Sequence, residues 1–466
     1  MCFKGAKMKR KYLITLTILA LLTIISFISS EFIFSKQNQA PPPVRKKLTF
    51  NRQTGITKPF RTLNRGRPFR PRSFSSSTDH LLIKFKPHLS PELVATTLDS
   101  YQVREYKRIP RINVFRIKAP SGLTIEEAQL VFSQNPDVLF VEPDYKARIA
   151  TTPNDTFFKY QYALYNSGQE IGIPGSPRGK SRADIRATES WEETTGKEDV
   201  VIAIIDTGID FDHPDLKNKI QSQGYDFVNE DNNPADDHGH GTHVAGIAAA
   251  ETNNEEGIAG VAWNCKILPL KVMDAEGEGY YSWMINAIIY AADNGADVIN
   301  FSLGGDQPSS ALEQALAYAY EQNVVVVAAA GNEEAAVLYP AAYDDYCLAV
   351  TATDYNDTRP EWTNFGPEVD VAAPGVRILS CVPTWYWGPD SIPYGYGYGT
   401  SMATPHVAGM AALIKSIKPW LKPNEIMDII CFTTEDINKA EYPGKDDFVG
   451  WGRINMEKAL VPIKIK

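Results

Sequence analysis

Three segments of the chain each carry one side chain that suits the transfer of an acyl group. The first is Asp206-Thr207-Gly208, which directly follows the apolar run Val200–Ile205. A carboxylate at the end of a buried strand orients an imidazole and stabilises its cationic form. The alternative is an aspartate that only caps a turn, which is a common use of this side chain. The same three-residue string also occurs in aspartic proteases, so this segment becomes specific only in combination with the others.

The second segment, HGHGTHVAG at residues 238–246, carries three histidines among glycines. Glycine lets the backbone turn tightly, and an imidazole in such a turn stands exposed at the start of a helix. We predict His240 as a general base. His243 lies one turn further along the same helix and is expected to be a packed partner, whereas His238 is expected to be a loop residue.

The third segment, GTSMATPHVAG at residues 399–409, places Ser401 just before an alanine-rich helix. The positive end of that helix and the backbone N–H of Ser401 would face a developing oxyanion. The alternative is a serine that caps the helix, but capping demands none of the flanking residues. A fourth segment, AAAGN, ends in Asn332 after a second apolar run. Its side-chain amide is a candidate donor to the same oxyanion.

Taken together, these segments resemble the subtilases, the serine proteases of the subtilisin family. The order Asp206, His240, Ser401 separates the chain from chymotrypsin-like enzymes and α/β-hydrolases. The resemblance covers about residues 151–460 and is strongest to the thermitase-like branch, for instance in TPNDTFFKYQY and GIAAAETNN. It implies a serine endopeptidase with these three residues as the catalytic triad. It further implies an oxyanion hole formed by Asn332 and the Ser401 N–H.

The resemblance also implies where a substrate binds. The segment 302–305 would pair with an extended peptide, which then adds a strand to the protein. The residues implied to border the cleft are Ser302, Leu303, Gly304, Gly305, Ala330 and Gly331.

Calcium is the cofactor that the resemblance implies, and the matching residues offer the hard oxygen ligands that this ion prefers. A strong site would use the side chains of Asp155, Asp215 and Asn254 and the backbone oxygens of Glu251, Glu256 and Ile258. A second, weaker site would use Asp226, Asp231 and Asn233. Ala235 stands where the family's comparable loop has a polar ligand, and the alternative there is an acidic, solvated loop.

The elements that must position these residues alternate between apolar runs and amphipathic helices. Val200–Ile205 and Val324–Ala329 are continuously apolar, as expected for strands covered on both faces. Helices are predicted at His240–Ala250, Trp283–Asn294 and Ser310–Glu321. This pattern predicts an α/β domain with a mostly parallel sheet flanked by helices. In such a domain, functional residues collect at the carboxyl ends of the strands.

A smaller unit with the element order βαββαβ precedes this domain, which is a ferredoxin-like α+β pattern. The predicted elements are a strand at 81–86, a helix at 91–101, strands at 103–107 and 114–118, a helix at 124–134 and a strand at 138–145. On its own this pattern fits any small binding module. In position and order it is similar to the subtilase propeptide, which assists folding and then inhibits the enzyme. We therefore expect a propeptide at 79–150 and a peptidase domain at 151–466.

The first 78 residues differ sharply in charge from the rest. They hold 16 Lys and Arg and one acid, whereas the remaining chain holds 31 basic and 55 acidic residues. Five of the basic residues precede the uncharged run Tyr12–Ser30, the order typical of an export signal. No Ala-x-Ala cleavage site follows, so residues 1–35 are predicted to be a signal peptide or a signal anchor. Residues 36–78, with prolines, serines and scattered basic residues, are predicted to be a disordered linker.

The composition disfavours other classes of protein. An alternative interpretation of the basic N-terminal residues is an arm that binds nucleic acid. The globular part of the chain is acidic, however, and an acidic surface does not suit the binding of phosphates. The chain has no HExxH string, so a zinc metalloprotease is not indicated. The cysteines are odd in number, far apart and without a CxxC pair, so they indicate neither a zinc cluster nor a disulfide framework. A single disulfide among Cys265, Cys347, Cys381 and Cys431 stays open.

The sequence therefore predicts a secreted, self-processing serine endopeptidase that hydrolyses protein or peptide substrates and is monomeric when mature. The propeptide would act as its intramolecular inhibitor. The alternative from a different class is a catalytically inactive binding module of the same fold, tethered to a membrane through residues 12–30.

Overall fold

The computed structural model describes residues 79–144, 152–172, 175–221, 224–386, 388 and 391–460. The predicted export segment, the predicted linker and residues 145–151 lie outside the described residues. By its internal contacts the chain divides into Met1–Phe69 and Arg70–Lys466, and every described residue belongs to the second unit. No helix within these residues has both the length and the apolar character that crossing a membrane requires.

The first described part is the predicted βαββαβ unit. Its elements are β1 (His80–Phe85), α1 (Pro91–Ser100), β2 (Tyr106–Ile109), β3 (Val114–Lys118), α2 (Ile125–Ser133) and β4 (Val138–Pro143). The antiparallel sheet has the order β2-β3-β1-β4. Alternate residues of the strands, such as Leu81, Ile83 and Ile117, are buried with the apolar faces of both helices. The predicted α+β class is therefore confirmed.

Local chemistry explains where the two helices of this unit begin. The Ser90 side chain accepts a hydrogen bond from the N–H of Leu93, and Pro91 occupies the first helical turn of α1. Helix α2 begins with a capping box, in which Thr124 and Glu127 each accept the other's backbone N–H. Both starting points follow the sequence prediction.

One strand of this unit was predicted too early. The sequence pattern places it at 103–107, whereas β2 spans Tyr106–Ile109. The N–H of Val103 instead donates to the carbonyl of Leu98, after Gln102 adopts a positive φ of 60°. Val103 therefore closes the C-terminus of α1, a common way of satisfying the last carbonyls of a helix.

Within the described residues, the large domain contains nine strands, seven α-helices and a 3₁₀ helix at Phe158–Tyr160. The strands are β5 (Val201–Asp206), β6 (Tyr225–Asp226), β7 (Lys266–Lys271), β8 (Val298–Phe301), β9 (Val325–Ala329), β10 (Cys347–Thr353), β11 (Val369–Pro374), β12 (Ile378–Cys381) and β13 (Tyr394–Gly397). The helices are α3 (Ala187–Ser190), α4 (His240–Ala249), α5 (Tyr281–Asp293), α6 (Ser310–Glu321), α7 (Thr400–Ile417), α8 (Pro423–Phe432) and α9 (Met456–Leu460).

Seven of these strands form one parallel sheet in the order β11-β10-β9-β8-β5-β7-β6. Strands β12 and β13 form a separate antiparallel pair. Along β5, Ile202 and Ile204 pack into the cluster that contains α4 and α7, whereas Val201 and Ala203 pack into the cluster that contains α5 and α6. Both faces of the strand are thus covered, which is why the run is continuously apolar. The predicted α/β class is confirmed.

The register brings several chain segments to one edge of this sheet. Ile205 of β5 pairs with Phe301 of β8, and Phe301 pairs in turn with Ala328 of β9. The residues that follow these positions therefore emerge side by side at the carboxyl edge. Ligand sites of open parallel sheets lie at this edge.

The four cysteines of the described chain, Cys265, Cys347, Cys381 and Cys431, are all free and buried. Burial raises the pKa of each thiol. The disulfide that the sequence left open therefore does not occur among these residues.

Candidate active site

Asp206 is the last residue of β5, so this strand ends one position later than the sequence pattern predicts. Its side chain is 1% exposed. The carboxylate oxygen Oδ1 accepts a hydrogen bond of 2.8 Å from the N–H of Thr207 and lies 2.7 Å from Nδ1 of His240. A buried carboxylate of this kind can hold one tautomer of the imidazole, with the proton on Nδ1.

His240 is the first residue of α4, as predicted, and its side chain remains one quarter exposed. The next residue must be a glycine, since a Cβ on Gly241 would lie 2.2 Å from the carbonyl oxygen of Gly208. This close approach brings the start of α4 against the turn that follows Asp206. With Nδ1 directed at Asp206, the other ring nitrogen is free to accept a proton from a nucleophile.

The charge state of His240 depends on two opposing effects. Burial by itself lowers its pKa, but the charge and hydrogen bond of Asp206, together with the charge of Asp236, raise the pKa above the ordinary value of 6.5. His243 lies deeper in α4, its Nε2 is 3.2 Å from the carbonyl oxygen of Gly395, and burial lowers its pKa to about 4. Of these two histidines, His240 is therefore the one that takes up a proton more readily.

Ser401 is the second residue of α7, whereas the sequence pattern places it just before the helix. It lies in the first turn, where backbone N–H groups have no partner within the helix. Its Oγ donates to the carbonyl of Ser302 at 2.9 Å, and Ser302 Oγ donates to the carbonyl of Ser401 at the same distance. Catalytic hydrogen bonds to a base are often formed only when substrate is bound, so this arrangement is compatible with a nucleophile at rest.

Asn332 lies close to the backbone of Ser401. Its Oδ1 accepts hydrogen bonds from the N–H of Thr400 at 2.8 Å and from Thr400 Oγ1 at 3.0 Å, which fixes the orientation of the amide. A Cβ built on Gly399, whose φ is 137°, would lie 3.4 Å from Asn332 Nδ2 and 3.6 Å from the Ser401 nitrogen. The amide nitrogen of Asn332 and the backbone nitrogen of Ser401 therefore lie near the same point beside Gly399, an arrangement compatible with the predicted oxyanion hole.

The predicted substrate-binding residues lie along the neighbouring edge. Gly305 exchanges two backbone hydrogen bonds with Tyr339, and Ala330 bonds to Val350 and Leu338. In the described chain, Leu303 and Gly304 make no backbone hydrogen bond. Pairing with an extended peptide, as predicted for this segment, would therefore involve Leu303 and Gly304 rather than Gly305.

The residues predicted for the strong calcium site lie together. Asp155 accepts the N–H of Asn253 at 2.8 Å. Asp215 accepts Asn254 Nδ2 at 3.1 Å and the N–H of Ile258 at 2.9 Å. Glu251 is joined to the same group because its N–H donates to the carbonyl of Asp215.

The electrostatics of this group suit a cation. Burial, and for Asp215 also the charge of Asp155, raises the pKa of each carboxyl group to about 6. Within the described residues, neither carboxylate has a lysine or arginine near enough to lower its pKa. Two buried acids without a cationic partner, beside the side-chain amide of Asn254, offer the hard oxygen ligands that Ca²⁺ takes.

The residues predicted for the weaker site make local contacts instead. Asp226 accepts the N–H groups of Val228 and Asn229, and Asp231 accepts the N–H of Asn233. Among the described residues no group of three or more acidic, histidine or cysteine side chains converges, either here or at the strong site, so the local contacts of Asp226 and Asp231 distinguish the two. These contacts favour the alternative of a hydrogen-bonded acidic loop at this position.

Two contributors to these groups were not predicted from the sequence. Thr400 orients Asn332, and its only sequence signal is its place between Gly399 and Ser401. Tyr394 donates its hydroxyl to Asp215 at 3.0 Å, from a hairpin that lies far away in the sequence. No local pattern marks Tyr394, because its role depends on the packing of β13.

Comparisons with known proteins find two matching family models, related sequences and a similar solved structure. The model of the subtilase family matches residues 197–452, and that of the fervidolysin N-terminal prodomain matches residues 77–144. The chain is 39% identical over 386 residues to the thermophilic serine proteinase of Bacillus sp. (strain AK1), covering 82% of this chain and 86% of that protein. It is 42% identical over 310 residues to thermitase of Thermoactinomyces vulgaris, covering 66% of this chain and 99% of that protein. A solved protease from Pseudoalteromonas arctica PAMC 21717 superposes with a TM-score of 0.57 at 34% identity, over 66% of this chain and 99% of that one.

The raised pKa of His240 leads to a prediction about pH. A general base must be neutral, so kcat/KM should be fully developed above this pKa and should fall as the pH drops through it. The acid limb should therefore have an apparent pKa above 6.5. The measurement is kcat/KM from about pH 5 to about pH 9 with an uncharged peptide substrate, and the melting temperature over the same range is the control for unfolding. An acid limb below the ordinary histidine value would contradict the prediction.

Proposed function

Because the chain belongs to the subtilase family of serine proteases, we propose that Asp206, His240 and Ser401 are the catalytic triad of this endopeptidase. The observation that carries the proposal is the 2.7 Å contact between Nδ1 of His240 and the buried carboxylate of Asp206. The chain also has an N-terminal prodomain and acts on peptide bonds, as its family does.

Each residue has a defined step in the proposed mechanism. On substrate binding, Ser401 Oγ leaves the carbonyl of Ser302, passes its proton to His240 Nε2 and attacks the scissile carbonyl carbon. Asp206 holds the imidazole tautomer and stabilises the cation that forms. The amide Nδ2 of Asn332 and the N–H of Ser401 donate to the oxyanion, in the space beside Gly399.

The acyl-enzyme then forms and is hydrolysed by the same groups. His240 returns its proton to the departing amine, which breaks the C–N bond and leaves an ester on Ser401. Water enters, His240 takes a proton from it, and the hydroxide attacks the ester carbonyl. The acid product leaves as Ser401 recovers its proton.

The alternative, an inactive binding module, has no observation in its favour. A protein that only binds peptides needs neither the Asp206–His240 contact nor the donors beside Gly399. We also propose that the protein is exported, because basic residues followed by the apolar run Tyr12–Ser30 form the pattern of an export signal.

The triad proposal predicts the effect of removing each side chain. Ser401→Ala and His240→Ala should each abolish nearly all turnover, and the double variant should be no worse than either single variant, because nucleophile and base act as a unit. Peptide hydrolysis and labelling by a fluorophosphonate probe are the measurements. Ser310→Ala, an exposed serine in α6, is the matched control and should keep full activity. Appreciable turnover by Ser401→Ala, or failure of the unaltered protein to react with the probe, would refute the assignment.

We further propose that calcium binds between Asp155, Asp215 and Asn254, with backbone oxygens of Glu251, Glu256 and Ile258 as additional ligands. When bound, the ion supplies stability rather than chemistry. It joins three segments that separate on unfolding. Asp155 lies near the start of the domain, Asp215 lies after β5, and Asn254 lies in the loop after α4. An ion that binds only the folded state stabilises it by about 2.7 kcal/mol at a hundredfold its Kd.

This predicts that chelation lowers the melting temperature. The protein for the experiment is the Ser401→Ala chain, which cannot digest itself, melted in calcium and in chelator. Asp215→Asn in the same background should remove the difference, whereas Glu230→Gln, which neutralises an exposed acid, should preserve it. Equal melting temperatures in calcium and in chelator would refute the site.

We propose that the prodomain ends within residues 145–155 and is removed there by the enzyme itself. The prodomain match ends at residue 144, whereas Asp155 is already buried against the loop after α4. A self-cleaved bond between these points would free a mature domain with Asp155 in place.

This predicts the N-terminus of the active form. N-terminal sequencing should find it between Tyr145 and Asp155, and the Ser401→Ala chain should accumulate uncut. Ser310→Ala is again the control, and it should mature normally. An active form that begins upstream of Leu81 would contradict the prediction.

A further inference from the structure

Asp236 stands out because its carboxylate is 5% exposed and receives five hydrogen bonds. The donors to Oδ1 are Thr207 Oγ1 at 2.8 Å, the His238 N–H at 3.0 Å and the Gly239 N–H at 2.7 Å; the donors to Oδ2 are the Thr242 N–H at 3.0 Å and Thr242 Oγ1 at 2.6 Å. These donors lie on the two segments that carry Asp206 and His240. Thr207 belongs to the turn after Asp206, and the other donors lie at or just before the start of α4, which begins at His240.

The two threonines extend this contact in both directions. Thr207 donates its N–H to Asp206 Oδ1, and its hydroxyl accepts the N–H of Gly241 while donating to Asp236. Thr242 donates its hydroxyl to Asp236 and accepts the N–H of Asp210. Asp236 is therefore the common acceptor that joins the strand end carrying the acid to the helix carrying the base.

Asp236 also performs the capping that α4 lacks. The N-cap residue is Gly239, which has no side chain to accept the free N–H groups of the first turn. The carboxylate of Asp236 accepts the N–H of Gly239 and of Thr242 instead. An anion at this end of a helix is further favoured by the helix dipole.

We propose that Asp236 is a positioning residue for peptide hydrolysis, which fixes His240 against Asp206 by joining Thr207 to the start of α4. The proposal rests on the triad function described above. Without this contact, each segment would keep its fold, but the position of one relative to the other would no longer be fixed. Misplacement of a catalytic group by about 1 Å can cost about 100-fold in rate.

The charge of Asp236 gives a second, independent readout. The titratable and charged groups around the imidazole are Asp206 on β5, Asp236 and His238 in the preceding loop, His243 on α4, and the ion pair of Lys271 on β7 with Asp237. Burial lowers the pKa of His240, and the charge of Asp236 is one of the effects that raise it. Removing that charge should shift the acid limb of kcat/KM to lower pH, a change that a merely structural role would not cause.

The experiment compares Asp236→Asn with Thr207→Val and Thr207→Ser. Asp236→Asn replaces one acceptor oxygen by a donor and removes the charge, so kcat should fall about 10- to 100-fold with little change in KM, and the acid limb should move down. Thr207→Val keeps the shape but loses the bridging hydroxyl, and it should lose kcat without moving the acid limb. Thr207→Ser restores the hydroxyl and should recover most of the activity. Glu321→Gln, on the exposed end of α6, is the control for loss of a charge.

Active-site titration with a fluorophosphonate normalises kcat to the folded, reactive fraction. It therefore separates misplacement of His240 from a simple loss of folded protein. Asp236→Asn with unchanged kcat and unchanged acid limb would overturn the proposal, as would equal activities of Thr207→Val and Thr207→Ser. If Asp236→Asn accumulates uncut although it melts cooperatively, the first turnover itself has been lost, which supports the proposal. Active Ser401→Ala would instead refute the triad, and the two failures are therefore distinguishable.

Discussion

The structure depends on a buried negative charge, the carboxylate of Asp206. A carboxylate without hydrogen-bond donors at 1% exposure would be strongly unfavourable, so the surroundings must supply such donors. The Thr207 N–H and the imidazole of His240 supply them. This requirement explains why the helix that carries His240 must approach the end of β5 so closely, and why Gly241 has no room for a side chain.

The parallel sheet makes this approach available to residues that are far apart in the sequence. Because the strand ends of β5, β8 and β9 are in register, the loops after them meet at one edge. Asp206 and Asn332 reach that edge from their strands, and Ser302 reaches it beside them. Helix α7 then brings Ser401 to Ser302, so the proposed nucleophile, acid and oxyanion donor are assembled by sheet geometry rather than by sequence proximity.

The sequence predicted most of the elements and all members of the proposed triad, because strand periodicity and the glycine-rich motifs are local signals. It did not predict Asp236. Nothing local distinguishes Asp236 from Asp237, yet the first is buried beneath Thr207 and the second is half exposed in an ion pair with Lys271. The error at Val103 has a similar cause, since a β-branched residue after a helix fits either a strand or a helix end, and only the turn at Gln102 decides between them.

The buried acids Asp236, Asp155 and Asp215 differ in the number of hydrogen bonds that they accept. Asp236 has five N–H or O–H donors, enough to provide hydrogen-bond partners for both oxygens of the carboxylate. Asp155 and Asp215 accept fewer hydrogen bonds, and burial is the main reason that the pKa of each carboxyl group rises to about 6. A carboxylate that is fully hydrogen-bonded can orient neighbouring groups by itself, whereas two buried carboxylates with fewer donors are stabilised further by a bound cation. The number of donors around each acid therefore separates the positioning role proposed for Asp236 from the metal-binding role proposed for Asp155 and Asp215.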